Sequence, residues 1–106
     1  MAADVDKVFK ALAAPERRLL LDRLRADNGQ TLRQLSVHLE MSRQAVTKHL
    51  RVLERVRIVH RRSEGRESLF TFDPQPVIEM KEYLVLVSNQ WDLALGRLKR
   101  FVEDPS

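Results

Sequence analysis

The residues of this chain best suited to chemistry lie between Ser42 and Arg66, and their chemistry is recognition of a polyanion. Within that segment Arg43, Lys48, Arg51, Arg55, Arg57, Arg61, Arg62 and Arg66 stand against only Glu54 and Glu64, a net charge of +6. The whole chain of 106 residues carries +4, so the remainder is slightly acidic. A basic block confined to one segment is the electrostatic footprint of a nucleic-acid-binding face. The spacing sharpens this. Gln44, Thr47, Lys48, Arg51 and Arg55 recur at i, i+3, i+4, i+7 and i+11 and so share one side of a helix, while Val46, Leu50 and Leu53 share the other. Gln matches the edge of adenine, Arg and Lys that of guanine, and the Thr methyl that of thymine.

Other chemistries find little to work with. There is no cysteine, which removes disulfides, thiolate metal sites and thiol nucleophiles together. His38, His49 and His60 fall on separate elements without a paired His, Asp or Glu at ligand spacing, so no metal and no cofactor is expected. Gly-rich phosphate loops, nucleophile motifs and carboxylate clusters are lacking; Glu79 and Glu82 read as exposed helix residues, and the chain is not expected to be an enzyme. The start, MAADVDKVFK, lacks the apolar stretch of a secretion signal, and no apolar run approaches the roughly 20 residues that span a bilayer. A cytoplasmic protein with no membrane partner is the expectation.

The elements that must hold the basic segment can be read from periodicity. Val5, Val8, Phe9 and Leu12 mark a first helix that stops before Pro15, which suits the first turn of a second helix burying Leu20, Leu21 and Leu24 and ending near Asn28-Gly29. Thr31 caps a third helix of about two turns with Leu32, Leu35 and Leu39 inward. Ser42 caps the fourth, about 42–56, with Met41 and Val46 placed as a hydrophobic staple. Short helix, tight turn and capped longer helix form a helix-turn-helix. Ile58–Arg62 and Glu67–Phe72 read as a hairpin, the wing, over about 58–72, turning through Ser63-Glu64-Gly65-Arg66. A last helix, about 75–103, carries Val77, Met80, Leu84, Val87, Trp91, Ala94, Leu98 and Phe101 at alternating spacings of three and four, a coiled-coil-like seam. The expected fold is mainly α with a small β-hairpin: one winged helix-turn-helix domain over 1–106 with a long C-terminal dimerisation helix.

In helix-turn-helix proteins the start of the second helix enters the major groove. Arg43, Gln44, Thr47 and Lys48, behind the cap Ser42, are therefore placed to touch base edges. Arg51 and Arg55, further along, meet phosphates. His49 packs or meets a phosphate. Arg61, Arg62 and Arg66 flank the hairpin tip, where a wing can lay them along the backbone or into the minor groove. Val5, Phe9, Leu12, Met80, Leu84, Val87, Trp91, Leu98 and Phe101 form the expected homodimer interface, with Leu86, Leu93 and Leu95 widening its stripe. The competing use of the same fold is a protein-interaction module without specific DNA recognition, with the last helix as its working surface.

The run MSRQAVTKHLRVLE, the basic hairpin around EGRESLFTF and the opening VFKALAAPERRLLLDRL resemble the ArsR-type winged-helix repressors over nearly the whole chain. That resemblance implies a homodimer joined through its first and last helices, bound to duplex DNA at an imperfect palindrome and usually repressing. Many of those relatives sense metals through cysteines in the third helix or His and acidic ligands in the last. Here Thr31 and Arg33 stand at the cysteine positions and the last helix has no His, so a metal sensor is not expected. An unknown small-molecule effector, a partner protein or control by expression all remain open.

Overall fold

The computed structural model describes residues 4–103. Its elements run α1 (Val5–Leu12), α2 (Pro15–Ala26), β1 (Gln30–Thr31), α3 (Leu32–Ser36), α4 (Arg43–Arg55), β2 (Val59–Glu64), β3 (Glu67–Phe72) and α5 (Gln75–Glu103). Local chemistry sets most of these bounds. Asp4 caps α1 by accepting the Lys7 N–H, Pro15 opens α2, and Ser42 caps α4 by accepting the Ala45 N–H. Thr31 and Gln34 form a full capping box at the start of α3. Val8, Ala11, Leu20, Leu24, Leu35, Val46, Leu50, Leu53, Ile58 and Val59 are all but fully buried, and they draw α1 to α4 and the hairpin base around one core.

The sheet has a strand that periodicity does not reveal. β1 pairs antiparallel with β3, Gln30 opposite Phe70, so the order is β1-β3-β2. Two residues are too few to show a period of two. The Gln30 side chain is buried and donates to the carbonyls of Arg23 and Asp27 at 2.7 and 2.6 Å, the first of which also accepts the Asp27 N–H, so it binds the strand to the end of α2. Gly29, at φ +84, takes the chain through the left-handed region between them. Asn28 Oδ1 accepts the N–H of Phe72, 44 residues away, so the end of α2 is tied to the end of the wing.

Two expected bounds shift. The hairpin turn is Gly65-Arg66 alone, with Glu64 opposite Glu67 and Ser63 opposite Ser68, so β2 runs two residues further than Arg62. A Gly-first two-residue turn matches the strand twist and permits this longer pairing. The third helix is a little over one turn; Val37 ends it, His38 takes φ 61, and Leu39 packs on the core from the following loop.

The end of α4 is a Schellman motif without its glycine. The Arg57 N–H bonds to the Glu54 carbonyl and the Ile58 N–H to the Leu53 carbonyl, while Leu53 and Ile58, both fully buried, make the accompanying apolar contact. Arg57 sits at φ 64, the position glycine fills most easily. The left-handed region costs an L-residue about 1–2 kcal/mol, and the greater unfolded-state entropy of glycine offsets about 0.5–1 of that. Arg57→Gly should therefore raise stability by roughly 0.5–1 kcal/mol, read as a higher urea midpoint at unchanged m-value.

α5 begins at a carboxylate. Asp73 Oδ1 accepts the Gln75 N–H at 3.0 Å, Oδ2 lies 2.9 Å from His60 Nε2, and the Asp73 N–H donates to the Ile58 carbonyl at 2.7 Å. The Gln75 N–H first, and then the His60 ring, hold the Asp73 carboxyl below the usual carboxylate value. A lowered native value stabilises the fold above the unfolded-state pKa, and the contribution is lost as pH falls through the native one. Asp73→Asn should accordingly be less stable at neutral pH, with the gap closing on acidification; a gap that persists in acid would show that the carboxylate charge is not what matters.

Candidate nucleic-acid interface

Burial of Val46, Leu50 and Leu53 sets the rotation of α4 about its axis. At about 100° per residue, Gln44, Thr47, Lys48, Arg51 and Arg55 then fall on the far side. Arg43, Gln44, Lys48, Arg51 and Arg55 are exposed and Thr47 is half-buried. The structure gathers Arg43, Gln44, Thr47, Lys48 and Arg51 around one open depression, with Leu32 of α3 at its edge. Ser42 serves as the helix cap, its Oγ accepting the Ala45 N–H at 3.1 Å. The Thr47 hydroxyl donates to the Arg43 carbonyl at 2.9 Å, which satisfies its donor within the helix.

A second depression adjoins the first, sharing Leu32, Arg43 and Thr47 and extending to Arg33, Arg61, Ser68 and Phe70. It is the cleft between the helix-turn-helix and the wing. Arg33 is a cation that sequence reasoning leaves out of the face. It is exposed in the first turn of α3, the helix that crosses the DNA backbone in this motif, and that position is the signal that could have found it.

The three wing arginines are not equivalent. Arg61 pairs opposite Phe70, a buried residue, so it lies on the inner face of the hairpin, 3.9 Å from Glu54 of α4. Arg62 pairs opposite Leu69 on the outer face and makes an exposed ion pair with Glu64 at 3.2 Å. Such exposed pairs contribute about 0–1 kcal/mol and give way readily to a phosphate. Arg66 occupies the turn itself, with Gly65 at φ +63 beside it.

His49 is not brought to this face. It is half-buried on the flank of α4 that meets α2, where its Nδ1 accepts the Nε–H of Arg17 at 3.2 Å, so its proton sits on Nε2. Arg17 also donates to the carbonyls of Lys10 and Ala11 at 3.1 Å. One guanidinium thus fastens the end of α1 and the start of α2 to the middle of α4, a positioning role that the sequence, with basic residues throughout α2, does not single out.

The apolar seam divides along α5. Val77 and Met80 pack against the domain's core, as does Leu12 of α1, while α1 and α5 lie against each other. Val5 is half-buried and Phe9 is 38% exposed. Beyond Met80, Leu84, Trp91, Leu98 and Phe101 are 43%, 64%, 57% and 71% exposed, and Val87 is partly covered. Helical rotation places Leu95 beside this seam but Leu86 and Leu93 roughly opposite it, so those two do not widen the stripe. Among the described residues no three His, Asp or Glu converge as metal ligands, and no helix is long and apolar enough to cross a membrane.

The same arrangement is found in known proteins. Residues 14–61 match the family described as bacterial regulatory protein, arsR family. The chain is 36% identical over 98 residues to the HTH-type transcriptional regulator Rv2034 of Mycobacterium tuberculosis, covering 92% of this chain and 88% of that one. It is also 36% identical over 83 residues to the uncharacterized HTH-type transcriptional regulator YuzN of Bacillus subtilis, covering 73% of this chain and 90% of the other. Among solved structures, an ArsR-like transcriptional regulator from Rhodococcus sp. RHA1 superposes with a TM-score of 0.81 at 30% identity, covering 92% of this chain and 91% of that chain. With a winged helix-turn-helix, a basic face on α4 and these relatives together, the chain belongs to the ArsR family of bacterial transcriptional regulators and is not an enzyme.

Proposed function

We propose that this regulator is a homodimeric repressor that reads an inverted-repeat operator in duplex DNA. The observation that carries the reading is the surface formed by α4, the start of α3 and the inner face of the wing, where Arg33, Arg43, Lys48, Arg51 and Arg61 stand with Glu67 the acid among the residues lining it. Its residues divide the work. Arg43, Gln44, Thr47 and Lys48 sit in the first turns of α4, the part that enters a major groove; with its hydroxyl turned to the helix, Thr47 has a methyl for thymine. Arg51, Arg55, Arg33 and the wing arginines meet phosphates or the adjacent minor groove.

The second copy is argued from α5. A helix of 29 residues reaches about 43 Å, and most of it lies past the core of its own domain. The radius of gyration is 19.2 Å, whereas a compact chain of this length has about 13 Å. An isologous pairing through α1 and α5 covers the exposed seam and sets two copies of α4 about a two-fold axis. A protein covering a promoter in this way blocks transcription, and that is the basis for repression.

Trp91 lies near the middle of the seam with 64% of its surface free. Trp91→Ala should weaken dimerisation by about 2 kcal/mol or more, measured by sedimentation; a wild-type chain that stays monomeric at micromolar concentration contradicts the dimer.

Two recognition helices about 34 to 36 Å apart require half-sites one helical turn apart. Gln44→Ala should cost about 1–3 kcal/mol on the operator and relax preference at one position of each half-site. Arg66→Ala or Arg33→Ala should instead weaken operator and random duplex by similar factors, and flatten the salt slope by about 1 for each phosphate no longer neutralised. Footprinting upstream of the protein's own gene supplies a first duplex, and titrations with matched, mismatched and random duplexes at several salt concentrations separate the outcomes. Weak, salt-insensitive binding to every duplex would favour a protein-interaction module.

A further inference from the structure

A cleft away from the reading surface opens where the start of α1, the end of α4, the base of β2 and the start of α5 meet. It measures about 430 Å³, within the range of small-molecule sites. Val8, Val56 and Pro76 give it an apolar wall. Its acids are already engaged. Asp4 accepts the Lys7 N–H at 3.3 Å and lies 3.9 Å from Lys7 Nζ, Asp73 holds His60 and the Gln75 N–H, and Glu79 accepts from Gln75 Nε2 at 3.5 Å. Lys7 and His60 face those carboxylates, Lys7 only through an exposed pair at 3.9 Å that an incoming anion can displace. The guanidiniums of Arg55 and Arg57 are what is left, neither with an ion pair or side-chain hydrogen bond among the described residues. Arg57 lines this cleft from a left-handed backbone at φ 64.

We propose that this cleft binds a small organic anion, a carboxylate carried on an apolar body. The body lies against Val56, the half-buried part of a wall backed by the buried Val8 and Pro76, and the carboxylate meets the planar donor forks of Arg55 and Arg57. Resting on the DNA reading above, a second consequence follows, because Arg55, which lines the cleft, is also the last residue of the polar stripe of α4 and is assigned there to a phosphate. An anion held there competes with a DNA phosphate, so occupancy lowers DNA affinity.

The test is an amide NMR titration of the full, DNA-free chain with phenylacetate, using neutral phenylacetamide as the control. Saturable shifts centred on Lys7, Val56, Arg57 and His60 are expected, with the amide binding at least about tenfold more weakly. Arg57→Gly should weaken phenylacetate by a similar factor, and a urea midpoint no lower than that of wild type separates a failure to bind from a failure to fold. No saturable shift, shifts confined to other surfaces, or equal binding of the amide would overturn the site. Saturating phenylacetate should also lower the affinity of wild type for duplex DNA several-fold, and that of Arg57→Gly little. Unchanged DNA affinity in wild type with the cleft occupied overturns the competition. Absence of DNA binding in both proteins overturns the DNA reading and leaves the titration to decide the cleft.

Discussion

Val46, Leu50 and Leu53 lose essentially all their exposure to solvent, and the rest of the molecule is organised by the angle at which they do so. A helix has one rotational freedom once its axis is placed, and three buried apolar side chains on one stripe remove it. Fully burying each is worth about 1.5–3 kcal/mol, so turning α4 by one residue would cost more than a typical single interaction on the polar side could return. Gln44 and Lys48 therefore need no partner of their own to face outward. The core fixes the address, and the exposed residues are free to be chosen for what they touch. The N-cap at Ser42 and the Schellman end at Val56 to Ile58 do the same for position along the axis, since one sets where α4 starts and the other where the chain must leave for β2.

What the sequence makes legible follows the same physics. Long stripes with caps at their ends are readable: α1, α2, α4 and α5 lie within a residue or two of where periodicity, Pro15 and Ser42 place them. Features set by pairing across the chain are not. β1 exists because Gln30 and Thr31 find Phe70 and Leu69 opposite them, and nothing local announces it. Arg61 and Arg62 look interchangeable as neighbours, yet the pleat sends adjacent side chains to opposite faces, so only Arg61 shares the cleft with α4. His49 follows the same rule on a helix: its place between the core stripe and the basic stripe follows from its number, but its acceptance of the Arg17 N–H is a tertiary fact. Arg33 is readable from its place at the start of α3, but it lies outside the charged block, so a search led by charge density misses it.

α5 shows how one pattern can serve two environments. Its alternating spacing of three and four is continuous, yet Val77 and Met80 close the domain's own core while Leu84 to Phe101 lie open. Surface of that extent and apolarity marks an interaction site. The two uses meet at one end of the helix, next to Asp73, whose carboxylate starts α5 and grips the base of β2 through His60. The element suited to pairing two copies is thus joined through a few polar contacts to the hairpin that carries the wing.

The way α4 ends explains how a left-handed backbone is held at Arg57. Ending α4 with glycine would cost less, but glycine has no side chain to place between α1, α5 and the wing base. Arg57 holds a guanidinium there at the price of a left-handed backbone, and the Schellman hydrogen bonds with the buried Leu53 and Ile58 contact hold it in place. Strain persists only where its surroundings over-determine it. The neighbouring elements are the ones the proposed function depends on: the basic helix α4, the long helix α5 with its exposed apolar seam, and β2 of the wing. His60 and Asp73 join this corner to the wing and the Schellman bonds join it to the last turn of α4, while the core stripe that keeps the basic face of α4 turned outward lies apart from it.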